Sequence, residues 1–233
     1  MIISVIITLL AQGKVKSAYS RYSNIASIRG ITGAEAARKI LERNGMANMP
    51  IYEVDGNLTD NYNPSSRTMN LSQEVYRGRS LASLAIAAHE AGHAIQHHNN
   101  YLLLLMRNVM AKPVGFVSNF SWIMILVGMF LMYRIPEAGS GYSIGLMIFD
   151  VGIIFFCGAV LFHMVTLPVE IDASSRALKI LTEEGLIEDS ERKGVKALLG
   201  AAALTYVAAL ATSVLQLIRL FEPFRLNLLH RIT

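Results

Sequence analysis

The sequence predicts a mainly α-helical integral membrane protein with a small mixed α+β portion outside the lipid, and three observations carry that reading. Hydrophobic residues make up 53% of the 233, charged residues only 16%, and the mean hydropathy is +0.41. A soluble domain carries about 25% charged residues, so part of this apolar surface must face lipid. Three runs of spanning length, over 113–133, 143–167 and 197–218, are almost free of charge, whereas 12–112 mixes helical periodicity with short strand signals and turn residues. Cys157 is the only cysteine, so no internal disulfide is available. The net charge of +4 has its excess near the ends of the apolar runs, a pattern of membrane topology; nucleic acid is not an expected partner.

Residues 1–11 form a short N-terminal apolar anchor. At about 1.5 Å per residue it covers only half of a hydrocarbon core of about 30 Å, and it lacks the basic start and small-residue cleavage site of a secretory signal. Lys14, Lys16 and Arg21 follow it as a cytoplasmic flank. The portion over 12–112 comes next. Thr32 with Glu35 reads as a capping box opening a helix that Asn44 and Gly45 close. Short strands are expected over 50–54 and 69–71, around 58–62, with a turn at 63–66. A sheet edge beside a catalytic helix could bind an extended peptide; a structural hairpin capping the core is the equal alternative.

Ser80 can cap the next helix, Leu81, Leu84, Ala85, Ala88 and Ile95 give it a buried face, and 97–100 end it. Within it stands His89-Glu90-Ala91-Gly92-His93, an HExxH pattern. One helical turn separates the two histidines, about 6 Å along the axis, so both imidazoles lie on one face and can share a zinc ion. Glu90 is rotated about 100° from them and can reach a water beside the metal. Zinc lowers the pKa of such a water to about 7, and a neighbouring carboxylate can take its proton and pass it on to a leaving amine. This spacing points to zinc-dependent peptide hydrolysis, with Glu90 as general base.

A third ligand is needed. The metzincin pattern requires Gly at 96 and His at 99, where this chain has Gln96 and Asn99. His97 lies about 12 Å along the axis from His89, too far to share one ion. The best candidate is Glu170, in the first turn of a helix that Pro168 could open. Arg176, on the same helix, offers a cation for the charge that develops on a carbonyl oxygen, and equally stands four residues after Asp172, the spacing of a helical ion pair.

The motifs His89–Gln96, Leu58–Pro64, Ser118–Trp122 and Leu167–Glu170, in this order, resemble the bacterial membrane-bound neutral zinc metallopeptidases of the YugP type. The resemblance runs from about Gln12 to about Leu220. More distantly the chain is similar to the HtpX quality-control proteases and the prenyl-protein endopeptidases, whose third ligand is a glutamate opening an E-x-x-A-D helix. The resemblance implies Glu170 as that ligand, Ala173 in the alanine position, and Ser174 where the relatives have aspartate. It also implies a full membrane helix at the start, so that 1–11 reads as a shortened one.

A transmembrane hairpin is expected over 113–167, turning at 135–141. Asp150 interrupts its second arm and is assigned to the interface. The third-ligand helix and a charged connection occupy 168–196, a further membrane helix 197–218, rich in small residues, and a tail 219–233. Two crossings return the chain to its starting side, so Glu170 can meet His89 and His93. Arg107, Lys112, Arg176 and Lys179 outnumber Arg134 in the turn, which predicts a cytoplasmic active site in a multi-pass protein, and the resemblance implies the bacterial cell membrane as its place. The expected partners are the lipid bilayer and protein or peptide substrates, membrane proteins foremost. Two other readings remain open: a non-catalytic zinc-bearing membrane scaffold or chaperone partner, and an intramembrane metalloprotease, against which stands the short run of about fifteen residues from Leu81 to the motif's end.

Overall fold

The computed structural model of the chain describes residues 2–134 and 140–232, with side chains over 2–134 and 144–221. Four helices among these residues are long and apolar enough to cross a membrane: α1 (Ile2–Ser23), α5 (Leu102–Arg134), α6 (Ser140–Glu183) and α7 (Asp189–Ile232). The mainly α membrane architecture expected from composition is what the chain adopts. The turn expected at 135–141 lies outside the described residues, apart from 140 and 141, which already belong to α6.

Three of these helices are longer than the sequence pattern suggests. Residues 1–11 do not stand alone: α1 continues unbroken through Lys14 and Lys16 to Ser23. α5 starts eleven residues before Pro113, and α6 runs through Pro168, so Glu170 sits inside a continuous helix and not in a first turn. Proline deletes one helical hydrogen bond and crowds the carbonyl four residues back, which in water usually ends a helix. Here the residues that follow are held by packing: Val169 and Ala173 are fully buried and the Val169 carbonyl accepts from Gln96, so the helix continues through the proline.

α5 and α6 form an antiparallel hairpin with glycine contacts. A Cβ on Gly128 would lie 2.7 Å from atoms of Gly145 and Phe149, and one on Gly152 2.9 Å from Ile125. Small residues let two membrane backbones approach this closely. The hairpin brings the start of α5 and the last third of α6 to one end of the molecule, where Arg107 and Glu170 meet.

The same end carries the α+β portion. α2 (Gly33–Arg43) begins at Thr32, whose hydroxyl accepts from the Glu35 amide while the Glu35 carboxylate accepts from the Thr32 amide. It ends at Asn44, with Gly45 at φ +76°. β1 (Ile51–Val54), β2 (Asn61–Asn63) and β3 (Thr68–Ser72) form a sheet ordered β1-β3-β2, with β3 parallel to β1 and antiparallel to β2. Residues 58–62, expected as connection, thus end in a strand, and the turn at 63–66 closes its hairpin. A short α3 (Gln73–Tyr76) leads to α4 (Leu81–His98), capped by the Ser80 hydroxyl accepting from the Ser83 amide. α4 is the core of this portion: Leu84, Ala85, Ala87, Ala88 and Ala91 are fully buried against α2, the sheet, and the ends of α6 and α7. Glu191 fastens the membrane helices to it by accepting from the amides of Ile28 and Glu188.

Candidate metal centre

α4 crosses α6 at Gly92. A Cβ there would lie 2.8 Å from the Ala173 carbonyl oxygen, so only glycine allows this approach, and the buried Ala173 is the matching small residue on α6. The crossing faces one turn of α4, bearing His89 and His93, towards Glu170. His89 Nε2 lies 3.2 Å from Glu170 Oε2 and His93 Nε2 3.6 Å from Glu170 Oε1, and the three ligand atoms lie within 4.8 Å of one another. Donors on a tetrahedral zinc at about 2.0–2.1 Å stand roughly 3.4 Å apart, so the trio fits that ion with little adjustment.

The outer nitrogens of both imidazoles are held. His93 Nδ1 is 3.0 Å from Gln96 Oε1, and Gln96 is itself held because its Nε2 donates to the Val169 carbonyl and to Asp172 Oδ2, both at 2.8 Å. An amide oxygen only accepts, so His93 carries a proton on Nδ1, and its Nε2 would give up its own proton to become the donor to a metal, the tautomer a metal requires. His89 Nδ1 is 3.2 Å from the Ser174 hydroxyl. Ser174, where the distant relatives have aspartate, therefore serves one histidine, and Asp172 reaches the other through Gln96. Burial pulls the His93 pKa down, but the hydrogen bond to Glu170 and the charges of Glu90 and Glu170 outweigh it and raise it above the ordinary value. The same negative field favours a bound cation.

Glu90 faces the same cavity of about 170 Å³ and its Oε2 accepts from the Tyr62 amide on β2 at 2.8 Å. The Tyr62 hydroxyl reaches His97 Nδ1 at 2.7 Å, so His97 supports the strand and stays outside the ligand set. Asp60 also borders the cavity, its carboxylate fixed by the amide and hydroxyl of Ser72; burial raises its pKa despite those bonds.

Of the two roles the sequence offers Arg176, cation at the site or partner of Asp172, the structure shows the second: Nε donates to Asp172 Oδ2 at 2.6 Å, closing the i,i+4 pair, and the side chain does not line the cavity. The guanidinium at the centre is that of Arg107, whose Nη1 donates to Glu170 Oε1 at 2.8 Å. Arg107 entered the sequence reading only as a topological charge, because nothing local ties it to a residue 63 positions away. Tyr206 of α7 lines the cavity as well.

The chain is similar to known proteins over nearly its whole length. Residues 1–225 match the family model described as "Putative neutral zinc metallopeptidase". A relative in Bacillus subtilis (strain 168), named "Putative membrane protease YugP", is 45% identical over 214 residues, covering 92% of this chain and 90% of the relative. No solved structure matches the chain. With that coverage by the family model and that identity, the chain belongs to the neutral zinc metallopeptidase family and is a membrane protein of its YugP type.

Proposed function

We propose that the chain is an endopeptidase of the HExxH-plus-glutamate type, cutting proteins at the cytoplasmic face of the bacterial cell membrane, with zinc on His89, His93 and Glu170 and with Glu90 as general base. The observation that carries this is the convergence of three ligand atoms from two helices with a further carboxylate, that of Glu90, turned into the same cavity. Bound zinc supplies Lewis acidity, polarising the scissile carbonyl and acidifying water.

The chain's own residues supply the rest. Glu90, aimed by the Tyr62 amide, takes the proton of the attacking water and delivers it to the departing amine. Arg107 holds Glu170 in place, and with Tyr206 it offers the donors that can meet the negative charge growing on the carbonyl oxygen. Arg176 acts at one remove, anchoring Asp172, which anchors Gln96, which orients His93. β2 is the edge of its sheet and borders the cavity, a position suited to an extended substrate chain added as a further strand.

Removal and return of metal test the catalytic reading. Purified protein stripped by a chelator is expected to lose cleavage of casein, and stoichiometric zinc to restore it; cleavage that survives complete stripping would leave only the zinc-bearing scaffold. The cytoplasmic assignment is supported by Lys112, Arg107, Arg176 and Lys179 at the metal end, which outnumber Arg134 and Arg219 at the other. A reporter inserted in 135–141 is expected to read as external, and an internal signal there would reverse it.

A further inference from the structure

The four long helices do not close on themselves. α5 packs on α6, α6 on α7 and α7 on α1, whereas α1 and α5 scarcely touch. Between them lies a cleft of about 420 Å³ to which all four contribute, including Gln12 of α1, Ser118 and Trp122 of α5, His163 of α6, and Thr212 and Gln216 of α7. The Ser118–Trp122 motif, with no role at the metal, thus lines this cleft.

Its chemistry is uncharged and rich in hydrogen-bonding groups. No Lys, Arg, Asp or Glu lines it. Thr205, Thr212 and Ser213 donate to carbonyls of their own helix at 2.7–3.0 Å, which leaves their oxygen lone pairs for something else. Among the described residues, the side chains of Gln12 and Gln216 make no hydrogen bond. Polar groups left unpaired at membrane depth are costly, and a hydrocarbon chain cannot pair them. A phospholipid headgroup would bring a phosphate with no cation to meet it. Hydroxyl and amide side chains of another membrane helix can make these bonds.

The cleft is also placed for a substrate. Thr205 lines it while the next residue, Tyr206, lines the metal cavity. His163 precedes Glu170 by seven residues on the unbroken α6, about 10 Å further from the metal end, and Gln216 lies about 16 Å beyond Thr205 along α7. The gap lies between two helices that are each long and apolar enough to cross a membrane, so an occupant can arrive through the bilayer. The volume suits the side chains of one helix face rather than a whole helix.

We infer that this cleft docks the transmembrane segment of the protein to be cut, a single helix bearing Ser, Thr, Asn or Gln on one face, which enters between α1 and α5 and holds the adjoining chain at the metal cavity. The inference rests on the peptidase reading above and names its substrate class. It is tested by binding, with zinc-loaded full-length Glu90→Gln protein in nanodiscs so that turnover does not intervene. Two labelled peptides share one soluble portion; one continues into an all-leucine membrane helix, the other into the same helix with a Ser/Gln face.

The Ser/Gln peptide is expected to bind about tenfold more tightly, and the combined Gln12→Leu and Gln216→Leu variant, still carrying one zinc per chain, to lose that preference. Equal binding of the two peptides, the result for a cleft filled by lipid chains, overturns the inference, as does a preference that survives in the zinc-loaded variant. If that variant fails to fold, a photo-reactive group on the peptide's polar face decides instead. Adducts on Ser118, Trp122 or the facing side of α7 support the cleft, and adducts confined to the outer faces of the helices overturn it. Cleavage of the soluble portion is scored separately: equal cutting by parent and Glu90→Gln protein would fail the peptidase reading while the binding result stands.

Discussion

Glu90→Gln protein is expected to hold zinc at the parent's stoichiometry and to lose between about 10²- and 10⁴-fold in kcat/KM for casein or a peptide substrate, the range a positioned general base contributes. The substitution keeps size and shape, and the amide oxygen can still accept from the Tyr62 amide, so the strand that aims this side chain has no reason to move. What the amide cannot do is take a proton. Metal analysis together with initial rates checks both halves. A protein that keeps its zinc and cuts as fast as the parent would remove Glu90 from the chemistry.

Glu170→Ala is expected to act at the other end of the arrangement, by loss of the metal. It removes one of three protein donors, and the effect should exceed the 10–100-fold weakening typical when an outer hydrogen-bonding partner of a ligand is lost. It also deprives Arg107 of the carboxylate it holds at 2.8 Å. Competition against a chelating dye measures the affinity, and helical content by circular dichroism separates metal loss from unfolding. An unchanged affinity in a folded protein would mean that the zinc is held by a different set. Glu170→Gln, which keeps the side chain's bulk and its acceptor towards Arg107, should weaken binding less than the alanine.

Local signals were legible wherever one stretch of chain settles its own structure. The Thr32 and Glu35 box, the Ser80 cap and the one-turn spacing of His89 and His93 depend on backbone groups within four residues, and each appears where the sequence places it. The one local rule that failed is the proline at 168. It was expected to open a helix, and α6 runs intact across it, its next turns packed against α4. The strand at β2 was read as connection because three residues beside Pro64 carry too little pattern, and it forms through pairing with β3 and the Tyr62 to Glu90 bond.

By itself the sequence determined the membrane character and the HExxH helix, because composition and helical spacing are properties of contiguous residues; Glu170 was a candidate through the expected Pro168 helix start and the family resemblance. Only the tertiary structure decided which cation stands at the centre, how Gln96 links His93 to Asp172, and that α1 and α5 leave a polar-lined gap. Those partners lie tens of residues apart, and what joins them is the close crossing of α4 and α6 at Gly92 and the antiparallel return of α5 and α6, geometry that no spacing along the chain encodes.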